Sequence, residues 1–562
     1  MATIASLSPE TLAQILSYIP RDHDNLMVRL ARIRDGGPIK PFSELPPYAT
    51  VCKTWQWHIE QRTFREINLP SSELENFSRL MTGHRRAALR EVKYQVVLPE
   101  YDDAACAVVE TEEDKKVNDA SFTTAVTELF RLVKRWEEED EKDLSRTGSS
   151  VGEGLVPLSL EMSQIYSPSD ANKRNGGLLG EQRMAVERGE RSDLFEGRHC
   201  DSWLRLGPLE GVPELKIVTK YAVSPSYPRP VEAESIARLA RKFPALEKLD
   251  LQIMERSEDF EVRRKDRYDF AVALLSLSSL PLTSFSLCAE NTCPRYQFQE
   301  PPSILLSDTD HFSLALYAIS LIPTLKTIDL KGPIMISPQL FQPPVALDSA
   351  FASLANRAPQ WPSLRTYSVI FSTVRPSGSW YFVRHPNNPV SHDFVVPLEP
   401  EFDSDRGTEM FRTYPDDEAM DGLLAAAGKA KHNMPALQMM SLTASLSLED
   451  SEDAEFEAVW FKAGQKNYLD HRLGEQPVRV GNEAFIGGDH VYWWTGKGGS
   501  WRPKRKVEKA WVGEGNQQWF KGYPQEEEEE DDEEDEEDEE NEEDYDDNDD
   551  DDDDDDFEMG GL

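Results

Sequence analysis

Phe243-Pro244-Ala245-Leu246-Glu247-Lys248-Leu249-Asp250-Leu251 recurs, with variation, at residues 322–330, 361–369 and 434–442. The common form is P-x-L-x-x-φ-x-φ, where φ is apolar. Residues 280–287 are a version one residue shorter, and residues 212–218 a looser one. Proline lacks an N–H and clashes with the carbonyl four residues back, so it ends whatever helix precedes it. The leucine two residues later turns into a core, and the alternating pair puts two apolar side chains on one face of a short strand. The clearer copies follow apolar helical stretches at 236–243, 270–277, 312–321, 347–358 and 420–430. Helix–strand units repeated in this way stack with parallel strands, each covering the face its neighbour leaves open.

The anchor leucines Leu215, Leu246, Leu282, Leu325, Leu364 and Leu437 are spaced 31, 36, 43, 39 and 73 residues apart. Spacing this long and irregular resembles a degenerate leucine-rich repeat, an α/β solenoid over residues 84–450. A general α/β domain made of similar units is the other architecture the pattern admits. The widest gap holds residues 371–383 and an acidic, loop-like stretch at 399–418, and reads as an insertion in one repeat. Before the repeats, Val92, Tyr94 and Val96 alternate as a first strand, and Phe122, Val126, Leu129, Val133 and Trp136 mark one face of a helix over 122–136. Residues 137–154 and 167–200, rich in charge, Ser and Gly, read as mobile loops around a short strand at 155–162. After residue 450 come apolar runs at 456–461 and 477–485, Val491-Tyr492-Trp493-Trp494, and Trp501, Trp511 and Trp519. They predict a strand-rich aromatic cap over residues 451–524, closing the last apolar face of the repeats.

The chain opens on Leu7-Ser8-Pro9-Glu10-Thr11-Leu12-Ala13-Gln14-Ile15-Leu16-Ser17-Tyr18-Ile19-Pro20. Ser8 suits an N-cap, Pro9 the first helical position and Glu10 the positive first turn. Leu12, Ile15, Leu16 and Ile19 share one helical face, and Pro20 ends it. Tyr48, Val51, Cys52, Trp55 and Ile59 repeat the spacing after Pro46-Pro47. Helices this short cannot bury their stripes alone, so each needs the other and a partner. A plain N-terminal helical cap on a larger domain would carry the same periodicity. The wording L-x-P-E-x-L-x-x-I-L-S-Y-I-P, then V-C-K-x-W, then Ile59-Glu60, Thr63-Phe64 and Ile67, resembles an F-box in the form common in large fungal F-box proteins. The resemblance covers residues 1–69. Ser8 stands where F-boxes usually carry their first proline, and a charged insert at 21–40 lengthens the middle.

That resemblance implies a non-catalytic receptor subunit of an SCF-type ubiquitin ligase. The F-box would dock a cullin-linking adaptor protein, and the repeats would hold a protein substrate that the sequence does not identify. Leu7, Pro9, Leu12, Ile15, Leu16, Val51, Cys52 and Trp55 match the F-box pattern and are the candidates for its adaptor-facing or core set.

The net charge of −42 over 562 residues is mostly local, because residues 526–558 hold 29 Asp and Glu with no Lys or Arg. The 61 Lys and Arg set against the other 74 acidic residues leave −13 for the rest. A mildly acidic body argues against a nucleic-acid binder, which needs a basic face to neutralise phosphates. Five scattered cysteines without a CxxC pair suit a reducing compartment, and no apolar run reaches the roughly 18 residues of a membrane helix. No basic-then-apolar leader opens the chain. A cytoplasmic or nuclear protein is expected. From Gln525 onward the chain is low-complexity acid that self-repulsion keeps unfolded. Such a tail either solubilises the protein or shields basic proteins such as histones. Leucine-rich repeats followed by acidic tails resemble chromatin-associated chaperones, which makes an acidic-tailed scaffold the alternative to the ligase role.

Chemistry-bearing motifs are scarce. The ten histidines include no HExxH, Cys288-x4-Cys293 lacks a matching pair, and Gly496-Lys497-Gly498 lacks the rest of a phosphate loop. No cofactor or metal is expected. Arg502-Pro503-Lys504-Arg505-Lys506 is the dense basic cluster: a candidate nuclear localisation signal at Arg502, Lys504, Arg505 and Lys506, a solvated turn, or a dock for the acidic tail.

Overall fold

The computed structural model describes residues 46–102, 105, 108–147, 156–170, 198–199, 202–224, 229–255, 259–290, 297, 300–344, 347–354, 359–384, 412–446, 455–462, 489–495, 501–512 and 517–521. The chain divides into a body, Met1–Tyr523, and a terminal unit, Pro524–Leu562, which falls outside the described residues.

The body is mixed α/β, built on one large, mainly parallel sheet. Its strands are β1 (Glu66–Pro70), β2 (Glu91–Val97), β3 (Leu158–Tyr166), β4 (Val218–Val223), β5 (Lys248–Met254), β6 (Ser284–Glu290), β7 (Thr327–Ile334) and β8 (Thr366–Phe371). A separate hairpin, β9 (Phe382–Val383) with β10 (Tyr414–Pro415), precedes β11 (Met439–Ser445), β12 (Glu455–Phe461), β13 (His490–Trp494) and β14 (Gln517–Lys521). Among the described residues the sheet has twelve strands, and spatial order follows chain order throughout. Every pairing from β1 to β8 and on to β11 is parallel. β11–β12 and β12–β13 are antiparallel, and β13–β14 is parallel again.

Register aligns the apolar positions into rows. Leu251 pairs Leu287, Leu287 pairs Leu330, and Leu330 pairs Val369. The row continues through Leu442, Ala458 and Trp493, and each of these side chains is buried. The anchor leucines Leu215, Leu246, Leu282, Leu325, Leu364 and Leu437 are at most 1% exposed, as the repeat motif requires. Each such burial stabilises by about 1.5–3 kcal/mol. Backbone bonds bind each unit to the last: Glu247 N donates to Thr219 O, Thr283 N to Glu247 O, Lys326 N to Thr283 O, Arg365 N to Lys326 O, and Gln438 N to Arg365 O.

The helices are α1 (Lys53–Thr63), α2 (Leu74–Leu80), α3 (His84–Ala88), α4 (Glu112–Thr147), α5 (Ala233–Ala240), α6 (Phe260–Ser276), α7 (His311–Ser320), α8 (Asp417–Lys431) and α9 (Arg505–Val512). They pack on one another in chain order, α5 on α6 and α6 on α7, the latter through Phe270 and Phe312 with ring centres 5.7 Å apart. Phe122, Val126, Leu129, Val133 and Trp136 are all buried, the face read from the periodicity.

Several expectations need correction. The sheet begins at Glu66, inside the stretch that reads as F-box, because Ile67 and Leu69 extend and pair with Val92 and Tyr94. α4 runs to Thr147, so residues 137–147 are helix: Glu137 is buried, with Oε1 accepting from Ile217 N and Oε2 bound by Lys134 Nζ. The stretch read as acidic loop contains β10 and the start of α8, with Asp416 capping Ala419 N at 2.8 Å. Of the helix expected at 347–358, the described part holds a single 3-10 turn, Ala352–Leu354. The aromatic C-terminal strands extend the same sheet. The strand expected at 477–485, Gly496–Gly498, residues 148–154, 171–197 and 200 of the two expected loops, and residues 399–411 fall outside the described residues.

Candidate interaction surfaces

The face of the sheet opposite the apolar rows is polar along most of its length. Lys93 and Glu161 pair across β2 and β3, Asp250, Ser286 and Asp329 line up across β5 to β7, and Ser368 and Ser441 follow. Lys93 Nζ reaches Glu66 Oε1 at 2.5 Å, which cross-links β2 to β1 on this side as well, and Lys331 Nζ lies 3.3 Å from Asp329 Oδ2 of its own strand. Toward β13 the composition changes to Val459 and Tyr492. The arrangement offers a long surface of mostly polar side chains. Among the described residues no group of three or more His, Cys, Asp and Glu is placed to hold a metal, and no helix is long and apolar enough to cross a membrane.

At the N-terminal edge the predicted stripe is broken. Pro46–Thr50 is a 3-10 turn, and Cys52, at φ −164° and ψ 171°, is extended before α1 begins. The break takes Val51 off the helical face of Trp55 and Ile59, although the rings of Tyr48 and Trp55 still meet with centres 6.4 Å apart. Trp55 and Ile59 are buried, whereas Tyr48, Val51 and Trp57 are 41–47% exposed. Cys52 is half-buried. Of the eight F-box-pattern residues, Trp55 is therefore internal packing and Val51 faces outward. Leu7, Pro9, Leu12, Ile15 and Leu16 fall outside the described residues. Glu60 anchors α1 to α3 through Arg85 Nη2 at 2.7 Å and His84 Nε2 at 2.5 Å. The Arg85 hydrogen bond outweighs desolvation and, with Gln56 and His84, holds the Glu60 carboxyl down at about 2.

The basic cluster is structured. Arg505 and Lys506 open α9, correcting the turn, and Lys504 Nζ and Lys506 Nζ lie 3.2 and 3.3 Å from Asp421 Oδ2, with Lys504 also 3.5 Å from Asp417 Oδ2. Asp421 is buried on α8, and its carboxylate draws the pKa of Lys504 upward. Arg502 Nη1 donates to Trp501 O at 2.9 Å. Trp511 completes the clasp, its indole N–H donating to Leu424 O at 2.7 Å. A Cβ at Gly428 would lie 2.7 Å from Trp511 Cδ1, so α9 approaches α8 as closely as only glycine permits. Lysines 504 and 506 thus hold α9 on α8.

Beyond the ends of β2 and β3, five residues with no sequence motif converge, Asp170, Arg198 and His199 from short helical pieces. Glu110, Asp170, Arg198, His199 and Arg229 are all buried. Arg229 Nη1 bonds Glu110 Oε1, while its Nε lies 3.7 Å from Asp170 Oδ2. His199 sits between the carboxylates, 3.5 Å from Glu110 and 3.7 Å from Asp170, and Arg198 stacks on Tyr101 with its guanidinium 4.4 Å from the ring centre. Burial pushes the Glu110 carboxyl up, but His199 and Arg229 outweigh it and bring it to about 2. Asp170 is lowered by the same neighbours against its burial. Arg229 faces both carboxylates, and the group ties separate segments of the chain together. Nothing in the local sequence signals it, since Glu110 and Arg229 are 119 positions apart.

A scan against models of known protein families finds no match to this chain, and a search of curated proteins finds no relative of it.

Proposed function

We propose that this chain is the substrate-recognition subunit of an SCF-type ubiquitin ligase. In this reading residues 1–69 form an F-box that docks the cullin-linking adaptor, and the sheet is an irregular leucine-rich-repeat-like solenoid whose polar face holds a protein substrate. The chain contributes no catalytic group, and ubiquitin transfer belongs to other subunits. The observation that carries the reading is the division at the N-terminal edge. Trp55 and Ile59 are buried on α1 while Tyr48, Val51 and Trp57 stay exposed, on the stretch that follows the segment containing Leu12 and Ile15. Large apolar side chains exposed together are costly unless a partner covers them. A sheet with one buried and one polar face supports the second half, since a long polar surface suits recognition of another protein.

The test is co-purification of the full chain with adaptor and cullin, comparing wild type with Leu12→Asp/Ile15→Asp and with Val51→Asp. Capture is expected to fall at least tenfold in the double variant and severalfold in Val51→Asp, with circular dichroism unchanged. Wild-type recovery of adaptor by the double variant would refute the docking assignment.

A further inference from the structure

Between α2 and α4 runs an open groove of about 1040 Å3, floored by Leu74 and Leu132 and bounded on its far side by Gly211 and Pro213. Both leucines are buried. Arg131 and Arg135 stand one turn apart on the α4 wall, and Arg79 stands on the α2 wall. Other arginines of this part of the body are neutralised: Arg85 by Glu60, Arg86 by Glu139 and Asp140, and Arg205 by Glu232. Among the described residues Arg131 and Arg135 form no ion pair, and Arg79 has only the amide of Asn76, at 3.3 Å. Lys134 is matched to Glu137 at 3.0 Å. Glu75 and Glu128 also line the groove, within reach of solvent and outside any ion pair, so three unmatched cations face two unmatched carboxylates. In a body carrying a net excess of acid, leaving two guanidiniums unpaired on adjacent turns is unfavourable, since like charges at i, i+4 repel. An anionic ligand relieves that repulsion. Guanidinium forks favour carboxylate or phosphate oxygens, and the leucine floor favours an apolar side chain between them.

We infer that this groove binds an acidic, apolar-studded peptide segment of a partner protein, its anionic groups on Arg79, Arg131 and Arg135 and an apolar side chain over Leu74 and Leu132. The volume is several times what one side chain fills, which suits an extended segment. The groove is independent of the adaptor reading: it uses none of the F-box-pattern residues and none of the sheet's polar face.

The experiment is fluorescence anisotropy with the full chain and three labelled dodecapeptides: leucine alternating with glutamate, with phosphoserine, and with glutamine. Binding of the glutamate or phosphoserine peptide, at least tenfold tighter than the glutamine peptide and weakening from 50 to 300 mM salt, is expected; whichever of the two binds tighter identifies the anionic group. Arg131→Glu/Arg135→Glu should weaken it at least tenfold. Gly211→Trp, which leaves every charge in place and fills the groove where a Cβ has only Arg131 Nη2 at 4.0 Å for company, should do the same. The inference is overturned if the glutamine peptide binds equally, if neither anionic peptide binds, or if both variants, shown folded by circular dichroism, retain wild-type affinity.

Discussion

Replacing Glu110 by Gln keeps the shape of a buried side chain and removes its charge from beside Arg229. The carboxyl stands at about 2 in the folded protein against 4.5 in its ordinary state. A pKa depressed on folding stabilises wherever the unfolded chain would bind the proton and the folded one would not. The contribution is complete above the unfolded value of 4.5 and disappears as pH falls toward about 2. At about 1.4 kcal/mol per unit, the wild type gains roughly 3 kcal/mol at pH 7 and roughly half that at pH 3. A second route gives a similar size, because removing one partner of a buried pair costs about 3–5 kcal/mol through the charge left behind. Arg229 is 3% exposed and keeps only Asp170, at 3.7 Å, in the variant. Urea unfolding followed by tryptophan fluorescence at pH 7 and pH 3 measures both. The gap between wild type and Glu110→Gln should be about 3 kcal/mol at neutral pH and should shrink by about half in acid. An equal gap at the two pH values, or a gap below about 1 kcal/mol at pH 7, would show that the network is solvated and its charges matter little.

Adjacent residues of β5 provide a paired test: Leu251→Ala should cost about 2–5 kcal/mol and Asp250→Ala no more than about 0.5, read by urea unfolding, because one faces the core and the other the polar side. Gly428→Leu should push α9 off α8 at a cost of about 1–3 kcal/mol, with faster amide exchange confined to residues 505–512 and their contacts on α8. Lys431 is buried, donates to Trp511 O at 2.6 Å, and is lowered by burial from 10.5 to about 8. The unfolded chain binds this proton more tightly, so stability should rise as pH climbs from about 8 to 10.5, by up to about 3 kcal/mol; Lys431→Met should lack that rise in parallel melts.

What the amino-acid order reveals follows from the range over which each interaction acts. The P-x-L-x-x-φ-x-φ copies are legible because proline, anchor leucine and strand alternation act within nine residues, and all the anchors are buried as read. β1 escapes notice because Glu66-Ile67-Asn68-Leu69-Pro70 is too short for alternation to stand out and borrows its partner from β2. The break at Cys52 is equally silent: spacing alone places Val51 beside Trp55, and the extended Cys52 backbone separates them. The reach of α4 beyond Trp136 rests on charged residues held by distant groups, Arg86 on Glu139 and Asp140, and Ile217 N on the buried Glu137. The Glu110 network and the arginine groove are assembled from separate loops and helices, so neither leaves a local pattern. The basic run at 502–506 is legible as charge, but its pairing with Asp421 is not, since the acid sits on another helix.

The change of strand direction after β11 sets a limit on how this molecule could have grown. A parallel unit added beyond Ser445 would meet an antiparallel neighbour whose hydrogen-bonding groups are already committed to β11 on one side and β13 on the other. On this side, duplicated units could lengthen the array only before that reversal, among the strands from β1 to β11, where each newcomer finds a like-directed strand on both flanks. The uneven intervals between the anchors are what such internal insertion and loss would leave behind.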